Sequence, residues 1–158
     1  MLKKHLFNLS IVILIFIIDR ISKLLAINFL DTYGEHGFRV TSFLNFNLIW
    51  NEGIAFGLFS FDEKLYYNFL TIIIILVTAI ILWMIIKTKG LEKIAFLMIF
   101  GGSLGNIFDR LVYASVPDFI DLHFNNFNWF IFNVADIFIS MGVILLIYFE
   151  FFKKKINE

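Results

Sequence analysis

Between Lys64 and Lys87 the chain runs for 22 residues without a charge. As an α-helix that run is about 33 Å long, enough to cross a hydrocarbon core of about 30 Å. It is one of four apolar segments, the others covering about 6–29, 94–110 and 129–150. Hydrophobic residues make up 60% of the 158 positions, mean hydropathy is +0.87, and charged residues are only 16%. A soluble domain of this length has no core large enough for so much apolar surface, whereas lipid accommodates it. The reading is an all-α membrane protein of one domain, residues 1–158, with spans at about 6–29, 65–86, 94–110 and 129–150. Zero net charge gives nucleic-acid binding no electrostatic support. With no cysteine, disulfides, thiol catalysis and thiolate metal sites are excluded.

Lysines set the expected orientation. Lys3, Lys4, Lys87, Lys89, Lys93 and Lys153 to Lys155 fall on one side, while the opposite loops carry only Arg39 and Lys64. The positive-inside rule then puts both termini in the cytoplasm and the connections at about 30–64 and 110–128 outside. Residues 1–18 have the basic start and apolar run of a signal peptide, but Leu24-Leu25-Ala26 supplies only one small residue for cleavage, so an uncleaved anchor helix is expected. In the first outer connection, 38–50 partly alternates polar and apolar residues, a strand signal. Pro117, the only proline, is expected to fix a turn in the second. The apolar stretch Gly53–Asp62 is too short to span and too apolar for a free loop, which suggests a short interfacial helix acting as a gate or a fixed plug.

Three acids lie where lipid should be: Asp19, Asp109 and Asp136. Each costs roughly 2.5–3.5 kcal/mol on insertion scales, so a use for them is expected. At 1.5 Å per residue, Asp19 and Asp109 lie about 20 Å from the inner edge, and Asp136 about 10 Å below the outer start of its helix. All three then share the outer part of the membrane, as one outward-opening polar site would require. Asp19, Ser22 and Lys23 fall on one helical face, either as a local ion pair or as groups positioning others across the bundle. Gly101 and Gly105 form a small-xxx-small pair suited to close helix packing. Asn106, Asp109 and Arg110 are expected on one face, with Asp109 paired to Arg110 or Lys23. Asn133 and Asp136 fit either a capping pair or part of a polar site. His5, His36 and His123 are scattered, and no H-E-x-x-H helix exists, so no metal is expected. No G-x-S-x-G elbow is present either.

Five motifs, in order along the chain, resemble those of the lipoprotein signal peptidases (signal peptidase II). They are Asp19-Arg20-Ile21-Ser22-Lys23, Asn51-Glu52-Gly53-Ile54-Ala55-Phe56, Gly102 to Arg110, Val116-Pro117-Asp118-Phe119 and Phe132-Asn133-Val134-Ala135-Asp136. The resemblance implies an inner-membrane aspartic endopeptidase acting on diacylglyceryl-modified prolipoproteins. The cut falls before the lipidated cysteine, no cofactor is needed, and globomycin-type inhibitors block the reaction. It implies Asp118 and Asp136 as the catalytic pair. Asp19, Lys23, Asn51, Gly53, Asn106, Asp109, Arg110 and Asn133 match the family's supporting or substrate-binding positions. Ile137 stands where a serine is common, and Phe130 where a proline often precedes the fourth helix. The alternative is a small proton-coupled membrane transporter, since intramembrane acids also mark ion paths. A relay needs acids spread through the full depth, and here they gather near one face.

Overall fold

The structure is a computed structural model that describes residues 2–30, 37–53, 63–124 and 127–156. Four helices and four strands follow in the order α1 (Leu2–Leu30), β1 (Phe38–Arg39), β2 (Leu44–Asn51), α2 (Glu63–Lys87), α3 (Leu91–Tyr113), β3 (Val116–Phe124), β4 (Phe127–Phe132) and α4 (Val134–Ile156). Among the described residues, α2, α3 and α4 each contain a stretch long and apolar enough to cross a membrane. α1 is 29 residues long and coincides with the first expected span. Large apolar side chains project outward along the bundle, such as Leu14, Leu25, Leu65, Leu76, Ile86 and Ile144. An apolar surface this extensive is compatible with lipid, not with water.

α3 is the hub. It packs against α1, α2 and α4, and half of its span is buried, against 17% for α2 and 11% for α4. Glycines explain how close the neighbours come. A Cβ on Gly101 would lie 3.0 Å from Ile15 of α1, and one on Gly105 would overlap Asp19 Oδ2. On another face, a Cβ on Gly102 would meet the Ala135 carbonyl of α4 at 2.6 Å. α4 reciprocates through Gly142, where a Cβ would sit 2.7 Å from the Ala95 carbonyl. The expected small-xxx-small contact is therefore present, and a second glycine interface adjoins it. Val12, Ile85, Phe96 and Leu97 fill the core between helices.

The strands form one antiparallel sheet in the order β1-β2-β3-β4. β2 comes from the first long connection, and β3 and β4 from the second, so both lie at the same end of the bundle. Ala26 and Leu30 of α1 pack with Phe119 of β3 to seat the sheet there. The strand expected over 38–50 is observed as β1 and β2. Two expectations need correction. The connection at 110–128 is not an open loop with a proline turn: α3 runs on to Tyr113, and Pro117 is the second residue of β3, opposite Trp50. A proline near the start of a strand forfeits little of the ladder. The fourth helix begins at Val134 and not near residue 129, because Phe127–Phe132 is a strand. The interfacial helix expected over 53–62 lies outside the described residues, apart from Gly53.

Candidate active site

Four charged side chains tie α1 to α3. Arg20 forks onto Asp109, with Nη1 on Oδ1 and Nη2 on Oδ2 at 2.7 Å, and Nη2 also reaches Asp19 Oδ2 at 3.0 Å. Lys23 Nζ donates to Asp109 Oδ2 at 2.7 Å and to Asn106 Oδ1 at 2.8 Å, and lies 3.0 Å from Asp19 Oδ1. All three ammonium protons thus have an acceptor, and Lys23 is only 1% exposed, with Asp19 and Asp109 at 0%. Two cations and two anions cancel. Buried charges persist on those terms, paired and hydrogen-bonded. The local Asp19–Lys23 pair and the cross-bundle arrangement are both present. Lys23 does not reach the surface.

Polar links lead from this tetrad to Asp136. Asp19 Oδ1 accepts the backbone N–H of Ala135 at 3.0 Å, holding the first turn of α4 against α1. Asn106 accepts from Lys23 with its oxygen, so its amide nitrogen faces the other way and donates to Asp136 Oδ1 at 2.8 Å. Asp136 Oδ2 accepts from Asn133 N–H at 3.1 Å, and Asn133 Oδ1 accepts from Asp136 N–H at 3.2 Å. That reciprocal pair is a capping box with the acid at the third helical position. Both sequence readings of Asn133 and Asp136 are therefore met in one arrangement. With α4 starting at Val134, Asp136 lies one turn into the helix, and the depth of about 10 Å inferred from a start near 129 does not hold.

Asp118 joins from β3. Its Oδ1 accepts from Asn133 Nδ2 at 2.6 Å and its Oδ2 from Asn51 Nδ2 at 2.8 Å. Neither amide is free to turn over. Asn133 Oδ1 is held by Asp136 N–H, and Asn51 Oδ1 by Gly53 N–H at 2.7 Å. Gly53 has φ +77°, a left-handed conformation that favours glycine. Asp118 and Asp136 are thus bonded to the same asparagine from opposite sides. Asp118 is 4% exposed, and burial raises its pKa above the ordinary value. Donation from Asn51 and Asn133 opposes the rise, the charge of Asp136 adds to it, and that of Lys23 opposes it.

Of the two partners expected for Asp109, Lys23 is found and Arg110 is not. The Arg110 guanidinium lies 5.4 Å from the centre of the Tyr67 ring on α2 and beside Gly53. Consecutive residues on a helix diverge by about 100°, so 109 and 110 address different neighbours. Arg20, which sequence reasoning left out of the site, takes the place foreseen for Arg110. A signal for it existed, since Asp19 and Asp109 need two buried cations and Lys23 is only one. Among the described residues, no three His, Cys, Asp or Glu side chains gather as a metal site would require.

Two solved structures share this architecture. A bacterial membrane enzyme determined by the in meso method at 2.3 Å resolution matches with a TM-score of 0.75 and 29% identity, covering 96% of this chain and 91% of that one. Another such enzyme, at 1.9 Å, matches with a TM-score of 0.75, 30% identity and 90% of each chain. The fold is that of a bacterial membrane enzyme. Residues 11–152 match the family model described as Signal peptidase (SPase) II, and the chain belongs to that family. The lipoprotein signal peptidase of Pelagibacter ubique (strain HTCC1062) is 48% identical over 99% of this chain and 96% of its own length. That of Thermodesulfovibrio yellowstonii is 43% identical over 93% and 95%. Family membership makes this chain a membrane-spanning protease of lipoprotein processing.

Proposed function

We propose that the protein is an aspartic endopeptidase of the bacterial inner membrane that removes signal peptides from diacylglyceryl-modified prolipoproteins, cutting before the lipidated cysteine. The observation that carries this reading is the double hold of Asn133 on Asp118 and Asp136. Asn133 holds Asp118 with its side-chain amide and Asp136 with its backbone N–H, so one residue aims both carboxylates, and on this reading they share a proton. One takes a proton from water as it attacks the scissile carbonyl, while the other donates one to the carbonyl oxygen. On collapse of the tetrahedral intermediate, a proton goes to the leaving amine and the pair is restored. Titration belongs to the dyad as a unit.

The remaining residues have positioning roles on this reading. Asn51 and Asn133 orient Asp118, and Asn106 and Asn133 orient Asp136. The tetrad of Asp19, Arg20, Lys23 and Asp109 fixes α1, α3 and the first turn of α4. Gly53 shapes the turn that aims Asn51, and Arg110 lies at the α2 side. All of α1 to α4 cross the membrane, both chain ends are cytoplasmic, and the dyad opens toward the outer face, where lipid holds the substrate's acyl chains. Globomycin-type inhibitors occupy the same site. The closed, mutually neutralised tetrad favours a scaffold over the proton path of a transporter.

The test uses purified protein and a diacylglyceryl-modified precursor. Asp118→Asn and Asp136→Asn each abolish cleavage while the protein stays folded, and EDTA leaves the wild type active. Near-normal turnover by either variant removes the dyad. Loss on chelation, reversed by one divalent ion, replaces it with a metal mechanism.

A further inference from the structure

A cavity of about 460 Å³ opens directly beside Asp118. Its described walls are Ile49, Trp50, Asn51, Glu52, Asp118, Phe130 and Ile131, all on β2, β3, β4 or the turn after β2. No described helix residue lines it. Its lining mixes apolar side chains with Asn51, and Asp118 and Glu52 are the charged groups among the described lining residues. Glu52 is exposed, and the turn beneath it is anchored: Asn51 holds Asp118 on one side and Gly53 N–H on the other. Glu52 therefore rises from a held turn that borders the same cavity as Asp118.

We propose that this cavity receives the first residues downstream of the scissile bond, and that Glu52 makes it selective for charge, favouring cationic over anionic side chains there. The inference rests on the proposed peptidase reading. A signal peptide upstream of the cut is apolar and remains among the helices. Chain leaving Asp118 along the strands must be the part that departs from the membrane. An extended peptide advances about 3.3 Å per residue, so only the first two or three downstream residues lie within reach of the cavity. There a lysine side chain lays its methylenes against Trp50 and Phe130 and brings its ammonium to Glu52. An aspartate in the same place meets a like charge.

An exposed ion pair changes a rate constant by a factor of up to about five, and replacing attraction by repulsion compounds that to on the order of tenfold at low salt. The experiment compares kcat/KM for lipidated precursors carrying Lys, Gln or Asp at each of the two positions after the modified cysteine, which is itself the first downstream residue. A matching set carries the same changes upstream of the cut. Wild-type protein should prefer Lys to Asp by about tenfold at one or more downstream positions, with the preference shrinking as salt is raised. Glu52→Gln should bring that ratio close to one, and Glu52→Lys should invert it. A ratio equal in all three proteins, or one that responds to Glu52 only at upstream positions, overturns the assignment. Failure of the wild type to cleave the Gln precursor would instead strike at the peptidase reading, so the two failures are separable.

Discussion

Asp118 holds its proton to a higher pH than an exposed carboxyl group, chiefly because burial disfavours the anion. The folded state thus binds more protons than the unfolded state between the ordinary value, 3.8, and the raised one. The stability this group contributes is complete below 3.8 and is lost as pH rises through the folded value. Asp118→Asn removes that dependence. Its thermal stability in detergent, relative to wild type, should therefore improve as pH rises from 3.8 through the raised value and level off above it. The loss of one of two amide donations, about 1 kcal/mol, offsets the curve without changing its slope. A wild-type-minus-variant difference that is flat with pH would show that Asp118 is not a strained acid. Asn133 makes the contrasting residue-scale prediction. Asn133→Ala should lower kcat about a hundredfold, the scale of a misplaced reacting group, with a smaller effect on KM. It should also cost about 1 kcal/mol through the lost cap, read from chemical denaturation.

Elements meet through glycine, and there the cost of a single methyl can be located. Gly142→Ala puts a Cβ against Ala95 O and Ile99 of α3, more than one turn along α4 from Asp136. It should destabilise by about 1–3 kcal/mol while leaving the activity of the surviving folded protein nearly intact. Gly105→Ala collides with the Asp19 carboxylate and should cost activity as well, since Asp19 also holds Ala135 N–H. Equal specific activities for the two variants would detach Asp19 from the site. How far the elements could be read from sequence follows the same physics. Apolar length revealed the helices, and alternation revealed β2. The start of α4 was obscured because Phe127–Phe132 is as apolar as the helix after it. The capping pair Asn133 and Asp136 marked the true boundary. β3 went unread because Pro117 and two aspartates imitate a turn, and only pairing with β2 makes Val116–Phe124 a strand. The five motifs contain most of the polar residues that the structure brings together, but the placing of Arg20 and the separate direction of Arg110 depend on which helix lies opposite. No local pattern carries that.

At the scale of the whole molecule, charge pairing across distant segments governs assembly. Lys23→Met leaves the tetrad with one excess buried negative charge, a loss of about 3–5 kcal/mol. Folded yield should fall sharply, and adding Asp109→Asn should restore part of it, because the pair is coupled. A double variant no better than the worse single one would mean the tetrad is not a unit. Orientation is testable separately, since the chain has no cysteine of its own. A single cysteine at position 36 should react with an impermeant reagent from outside, and one at 89 or 155 should not; the opposite pattern reverses the topology. The tetrad also imposes a timetable. α1 brings one negative and two positive charges, and the missing anion, Asp109, follows Lys23 by 86 residues. At about 5–20 residues per second that is a wait of roughly 4–17 s. During synthesis the first helix must therefore stand with an uncompensated charge until the third arrives to neutralise it.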